Sequence, residues 1–193
     1  MNVAVKRNVI EHLWENQRPE KMQVYALLDG AQNDDIYRHV VSSGLDSVCL
    51  YSGKLAPPLA RVAPYLVKLS RHHEFTKTIV MQGWGKNWGI FVRSAAPLSE
   101  LRKHFHGFLT VQDDEGKRLV FRYYDPRIFR VYLPTCRLNE LKTVFGPVED
   151  FMLEAEDPYE LILYRLNDDR LAVEQHSLVD AFSATLPAEN LSP

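Results

Sequence analysis

The stretch Phe121-Arg122-Tyr123-Tyr124-Asp125-Pro126-Arg127 constrains this chain most tightly, because it fixes where a helix must begin. Proline holds the residue before it in extended geometry and itself suits the first helical position, where no amide donor is needed. Asp125 therefore has the conformation of an N-cap, its carboxylate placed to accept from the orphan amides of the first turn. Leu119, Phe121 and Tyr123 alternate with Val120, Arg122 and Tyr124, which predicts a strand occupied on both faces, with Arg122 pointing inward or along an interface. Arg127 falls in the first helical turn, where a cation opposes the dipole unless a carboxylate elsewhere answers it. An Asp-Pro helix start accounts for Asp125 by itself. A network of Arg122, Asp125 and Arg127 that pins a helix to a sheet edge is thus favoured over an anion or substrate site.

Upstream, Val5, Val9, Ile10, Leu13 and Trp14 recur at helical spacing until Arg18-Pro19. Val24 to Leu28 reads as a buried strand ending at Asp29-Gly30-Ala31. A helix follows with Ile36, Tyr37, Val40 and Val41 on one face, stopped by Gly44, and then a strand over Ser47 to Tyr51. Strand, helix and strand over so short a span predict a parallel crossover unit. Ser52-Gly53-Lys54 lacks the spacing of a phosphate loop, and Ala56-Pro57-Pro58 does not continue as a loop-to-helix cradle. Further elements are a strand over Ala63 to Leu69, a helix over Glu74 to Met81 with Phe75, Ile79 and Thr78 inward, a strand at Ile90-Phe91-Val92, and a helix carrying Leu98, Leu101, Phe105, Phe108 and Leu109. A hairpin of Thr110-Val111-Gln112 and Leu119-Val120-Phe121 precedes the central stretch, and helices over Ile128 to Tyr132 and Leu138 to Phe145 follow it.

From Val148 the composition turns acidic, and Tyr159 to Leu166 with Leu171 to Glu174 predict a hairpin closed around Asn167-Asp168-Asp169-Arg170. The fold class expected is α/β, a mixed, mainly parallel sheet flanked by helices, with a small C-terminal β-hairpin extension. The domain reading is a core over 1–147, a variable extension over 148–180, and a disordered tail over 181–193 rich in Ser, Pro and Asn.

At 193 residues, 46% of them hydrophobic, the chain can bury one good core. Its net charge of -2 gives no general attraction for nucleic acid, and no run reaches signal-peptide or membrane-span length, so the expected location is the cytoplasm. Cys49 and Cys136 lack CxxC spacing, and His72-His73, His104 and His106 do not converge on one face. No metal or cofactor is expected. The Asp113-Asp114-Glu115-Gly116 run lacks the further spaced ligands of a calcium loop.

Taken in order, Tyr25-Ala26-Leu27-Leu28-Asp29-Gly30-Ala31, Pro64-Tyr65-Leu66-Val67, Trp88-Gly89-Ile90-Phe91, the central stretch and Phe145-Gly146-Pro147 resemble a bacterial domain-of-unknown-function family. It is the family of adaptor chaperones that load toxic effectors onto the spike of the type VI secretion system, and the likeness covers about 19–147. The resemblance implies a cytoplasmic, non-enzymatic protein whose partners are a toxic effector and the spike-tip protein. The segment after Val148 is shorter than the helical C-terminal region of many members. If the shared core serves a shared partner, 148–193 is the cargo-selective part.

A loader needs apolar anchors with a polar rim, and Trp84, Trp88, Tyr123 and Tyr124 are the candidates; each can equally be core. The two tryptophans sit in a loop with three glycines, which large side chains must either anchor or present to a partner. At the mouth of the sheet, Asp29 is expected to pair with Arg127 or Arg122. The rival reading is an enzyme that binds a phosphorylated small molecule through Asp29, Arg122, Asp125 and Arg127. It lacks a phosphate loop, a Ser-His-Asp or Cys-His signature, and metal-ligand spacing.

Overall fold

In strand β1 (Gln23–Asp29) every residue from Val24 onward is buried, as befits a strand covered on both faces. Val24, Ala26 and Leu28 face one apolar cluster, and Tyr25 and Leu27 face the other. The computed structural model describes residues 3–15, 22–112 and 115–179. The expected tail over 181–193, the stop at Arg18-Pro19 and the Asp113-Asp114 turn lie outside the described residues.

The remaining elements are α1 (Val3–Trp14), α2 (Asp34–Ser42), β2 (Ser47–Cys49), α3 (Pro57–Val62), β3 (Pro64–Lys68), α4 (Glu74–Gly83), β4 (Gly89–Ser94), α5 (Leu98–His106), β5 (Thr110–Gln112), β6 (Arg118–Val120), α6 (Pro126–Tyr132), a 3₁₀ turn (Leu133–Thr135), α7 (Leu138–Phe145), β7 (Asp150–Glu154), β8 (Glu160–Asn167) and β9 (Arg170–Ser177). Helices α1, α2 and α4 bury Val9, Ile36 and Ile79 against one sheet face, and α5, α6 and α7 bury Phe105, Phe129 and Phe145 against the other. The result is three layers, helix on sheet on helix.

The mainly parallel sheet expected from the sequence is not formed. Seven strands run in the order β2-β3-β1-β4-β7-β8-β9, and every hydrogen-bonded neighbour is antiparallel. The reason is a pair of crossovers that each skip a strand. β1 and β2 do point the same way through α2, but β3 lies between them; β3 and β4 do so through α4, with β1 between them. Sequence periodicity reports helix-linked strands that point the same way; it does not report which strand slips between them.

Local differences have equally direct causes. Pro57 and Pro58 open the short helix α3, where first-turn positions need no amide donor. On α4 the inward residue is Thr76, whose hydroxyl donates to the Ser70 carbonyl at 2.7 Å, not Thr78. Val41 on α2 is 60% exposed while Ile36 and Val40 are buried. β7, hidden in an acidic stretch, pairs with β4 through Phe91↔Met152 and carries the β8–β9 hairpin into the main sheet. The 147/148 boundary therefore falls inside one continuous sheet.

Candidate functional site

β1 delivers Asp29 to the end of the sheet. The turn after it presses against the start of β3: the Gly30 amide donates to the Ala63 carbonyl at 3.1 Å, and a Cβ on Gly30 would lie 2.6 Å from that oxygen. Only glycine fits there. The turn folds back on the buried Asp29 carboxylate, which accepts from the Ala31 amide at 3.0 Å and from Gln32 Nε2 at 3.0 Å.

The central stretch arrives from the opposite side. β6 ends at Val120, so the strand expected through Tyr124 is cut short; a turn closed by the Asp125 amide on the Arg122 carbonyl at 2.9 Å takes over. That turn sends Arg122 back to Asp29, with which its guanidinium forms a hydrogen-bonded ion pair. Asp125 caps α6, accepting from the Arg127 amide at 3.0 Å. Arg127 is answered by this same carboxylate, not by an acid elsewhere: its Nε and Nη2 donate to Asp125 at 2.9 and 2.6 Å, a bidentate fork. Arg122 lies 3.9 Å from Asp125, and Gln32 bridges the two acids, donating to Asp125 at 3.3 Å as well as to Asp29.

The electrostatics follow from this geometry. Burial pushes the Asp125 carboxyl up, but the bonds from Arg127 and the nearby Arg122 outweigh it and leave the group below its usual value. The bond to Asp29 raises Arg122, and the bond to Asp125 raises Arg127. Both arginines stay fixed cations while keeping a face to water, with side chains 39% and 54% exposed. Their charge is largely taken up by Asp29 and Asp125.

Tyr123 and Tyr124 follow Arg122 into the core, each less than 5% exposed. The Tyr123 hydroxyl donates to the Phe105 carbonyl at 2.7 Å, and burial first, then Tyr51, pushes the Tyr124 phenol up. Trp84 and Trp88 are also core, each 4% exposed. The Trp84 indole donates to the Pro158 carbonyl at 2.8 Å and its ring stacks on Phe91. None of these four aromatics forms a surface: they anchor the loops that carry them.

Sequence reasoning missed the acid that holds the tryptophan loop. The Glu154 carboxylate, buried at the end of β7, accepts from the Gly85 and Asn87 amides at 2.5 and 2.8 Å, and burial raises its pKa despite those bonds. Arg130 on α6 donates to the Glu154 and Ala155 carbonyls at 2.6 and 3.2 Å. Between α6 and the β8–β9 hairpin runs an open groove of about 1010 Å³, bordered by Arg127, Arg130 and Val131 on one side and Ile162, Tyr164 and Gln175 on the other. Val131 is 71% exposed there. An Arg at each of two successive helical turns, i and i+3, was the one available signal for this wall.

A further buried acid, Asp150, lies within the sheet. Asp150 takes Arg93 Nε on one oxygen and Arg165 Nε on the other, both at 2.6 Å. His104 and His106 each bond a backbone carbonyl, Val144 and Leu50, at 2.9 and 2.8 Å, so they brace α5. Burial lowers the His104 pKa.

Residues 24–143, more than half the chain, match the family model described as a domain of unknown function, DUF4123. The chain belongs to the DUF4123 family. No curated protein and no solved structure matches it. Asp29, Gln32, Arg122, Asp125 and Arg127 all fall inside the DUF4123 span, whereas β7, β8 and β9 lie beyond its end. Among the described residues, no helix is long and apolar enough to cross a membrane.

Proposed function

We propose that this DUF4123 protein is a cytoplasmic adaptor chaperone that binds a toxic effector and brings it to the spike-tip protein of a type VI secretion system, without itself catalysing a reaction. The observation that carries the reading is the family match over 24–143 together with the ordered motifs inside it. The use of charge at the sheet mouth supports it. Asp29 and Asp125 neutralise Arg122 and Arg127 through direct bonds, so the most polar part of the family span pins α6 to the end of β1. Helix α6 then presents Arg127, Arg130 and Val131 along an open groove, a mixed polar and apolar rim of the kind protein partners use.

The division of labour follows the family boundary. The span 24–143 serves the partner common to such adaptors, and the β7–β9 segment beyond it selects the cargo. The test is a tagged purification from the native bacterium with identification of the bound proteins, run beside Val131→Asp. Recovery of a spike-tip protein and a toxin by the parent, with one of them lost from the folded variant, supports the reading. Recovery of neither sinks it. Exchanging residues 148–193 with those of a related adaptor should exchange the toxin and keep the spike protein; an unchanged toxin removes the cargo-selective role.

A further inference from the structure

The sheet ends on β9, which among the described residues pairs with β8 alone. Asp168 and Asp169, at φ of 46° and 62°, make the tight two-residue turn that joins them. In such a hairpin the flanking pair Asn167↔Arg170 is hydrogen-bonded, and so is every second pair after it. The Leu178 amide on the Tyr159 carbonyl at 2.8 Å continues the same phase. The amides and carbonyls of Arg170, Ala172 and Glu174 thus turn inward to β8, and those of Leu171, Val173 and Gln175 turn outward. Side chains alternate as well: Leu171 and Val173 lie on the face of Tyr164 and Leu166, and Arg170, Ala172 and Glu174 on the face of Leu163. Val173 is 53% exposed.

We infer that the β9 edge is built to pair antiparallel with the β9 edge of a second copy of this chain, about a two-fold axis at Ala172. The charge pattern of the strand selects both partner and register. With Ala172 opposite Ala172, Leu171 of each copy meets Val173 of the other, and these outward-facing residues exchange amide and carbonyl. Arg170 of each copy meets Glu174 of the other, which within its own chain lies 3.8 Å from Arg165 and 3.4 Å from His176, so opposite charges face each other at both ends of the paired segment. The small Ala172 pair leaves room at the axis. An edge strand bearing charges ordinarily repels a second strand; here the charges cancel in one register and clash or go unmatched in the neighbouring ones. The contact is isologous, as a closed dimer requires, and it would join two seven-stranded sheets into one.

Analytical ultracentrifugation of the intact chain over a concentration series tests this. The parent should sediment with twice the monomer mass. Arg170→Glu, which sets Glu against Glu174 at both ends, should weaken the dimer roughly tenfold or more. The double variant Arg170→Glu/Glu174→Arg restores opposite charges and should restore the dimer. Val173→Pro removes an outward amide while leaving the β8 ladder intact, and should give a monomer whose melting temperature stays near that of the parent monomer. A parent that remains a single copy at every concentration overturns the inference. So does a dimer indifferent to both Arg170→Glu and Val173→Pro, or an edge that gains mass only when an extended segment of another protein is added.

Discussion

Two of the buried aspartates, Asp150 and Asp125, handle the same chemistry in different surroundings. Asp150 sits within the sheet, where both it and Arg93 are 3% exposed, and its second arginine, Arg165, is mostly covered. Asp125 is as deeply buried, but its arginines reach it from the mouth of the sheet and keep contact with water. The difference lies in what each cation does when its acid is removed. A guanidinium at the mouth can turn to solvent, whereas Arg93 would stay buried with the Glu15 carbonyl in place of a countercharge. An ion pair's importance for folding therefore tracks the confinement of the cation more than the burial of the acid.

The largest expected effect in that comparison belongs to Asp150→Ala, which strands Arg93 and should cost about 3–5 kcal/mol in denaturant unfolding. A loss no greater than that of the mouth variants would erase the contrast. Asp29→Ala removes the acceptor for Ala31, Gln32 and Arg122; with Arg122 free to hydrate, about 1–3 kcal/mol is expected, read as a lowered melting temperature. Asp125→Ala deletes the cap of α6 and should cost about 1–2 kcal/mol. Arg127→Ala, at a half-exposed position, should cost no more than about 1 kcal/mol.

Acidity separates Asp125 from Glu154 by sign. The Asp125 carboxyl is held below its usual value, so its contribution is complete above the unfolded-state pKa and disappears as pH falls through the folded one; the gap between parent and Asp125→Asn should narrow on acidification. Glu154 is held above its usual value, so the native state binds its proton first. Relative to Glu154→Gln, the parent should gain stability as pH falls through the raised pKa. Parallel pH profiles for the two pairs of proteins would show that these carboxyls are not perturbed in opposite directions.

Much of this arrangement can be read from local chemistry in the sequence. Asp125-Pro126 dictates a capped helix, Asp168-Asp169 a tight turn, and the alternation around Leu27 a strand buried on both faces. Neighbour choice in the sheet is not local, which is why β3 intervening between β1 and β2 left no trace in the periodicity of either strand. β7 was hidden because Asp150 and Glu154 look like surface acids until Arg93, Arg165 and the Gly85 and Asn87 amides are brought to them. The large aromatics point the other way: Trp84 and Trp88 resemble an exposed recognition patch in sequence, and Glu154 and Phe91 turn their loop into core.

The seam between β4 and β7 has a kinetic consequence. Strands β7, β8 and β9 form a meander of their own, whereas β1 and β4 close over α2, α3 and α4, and Phe91 finds Met152 only after α5, the β5–β6 hairpin, α6 and α7 have been gathered in. Loop closures of that length are slow compared with the local pairings of the meander. Joining the meander to β4 should then follow the meander's own pairing, with Arg93 meeting Asp150 as the two blocks zip together. A chain emerging from the ribosome would hold an unpaired β4 edge until its last third is made, the interval in which it most needs protection from its neighbours.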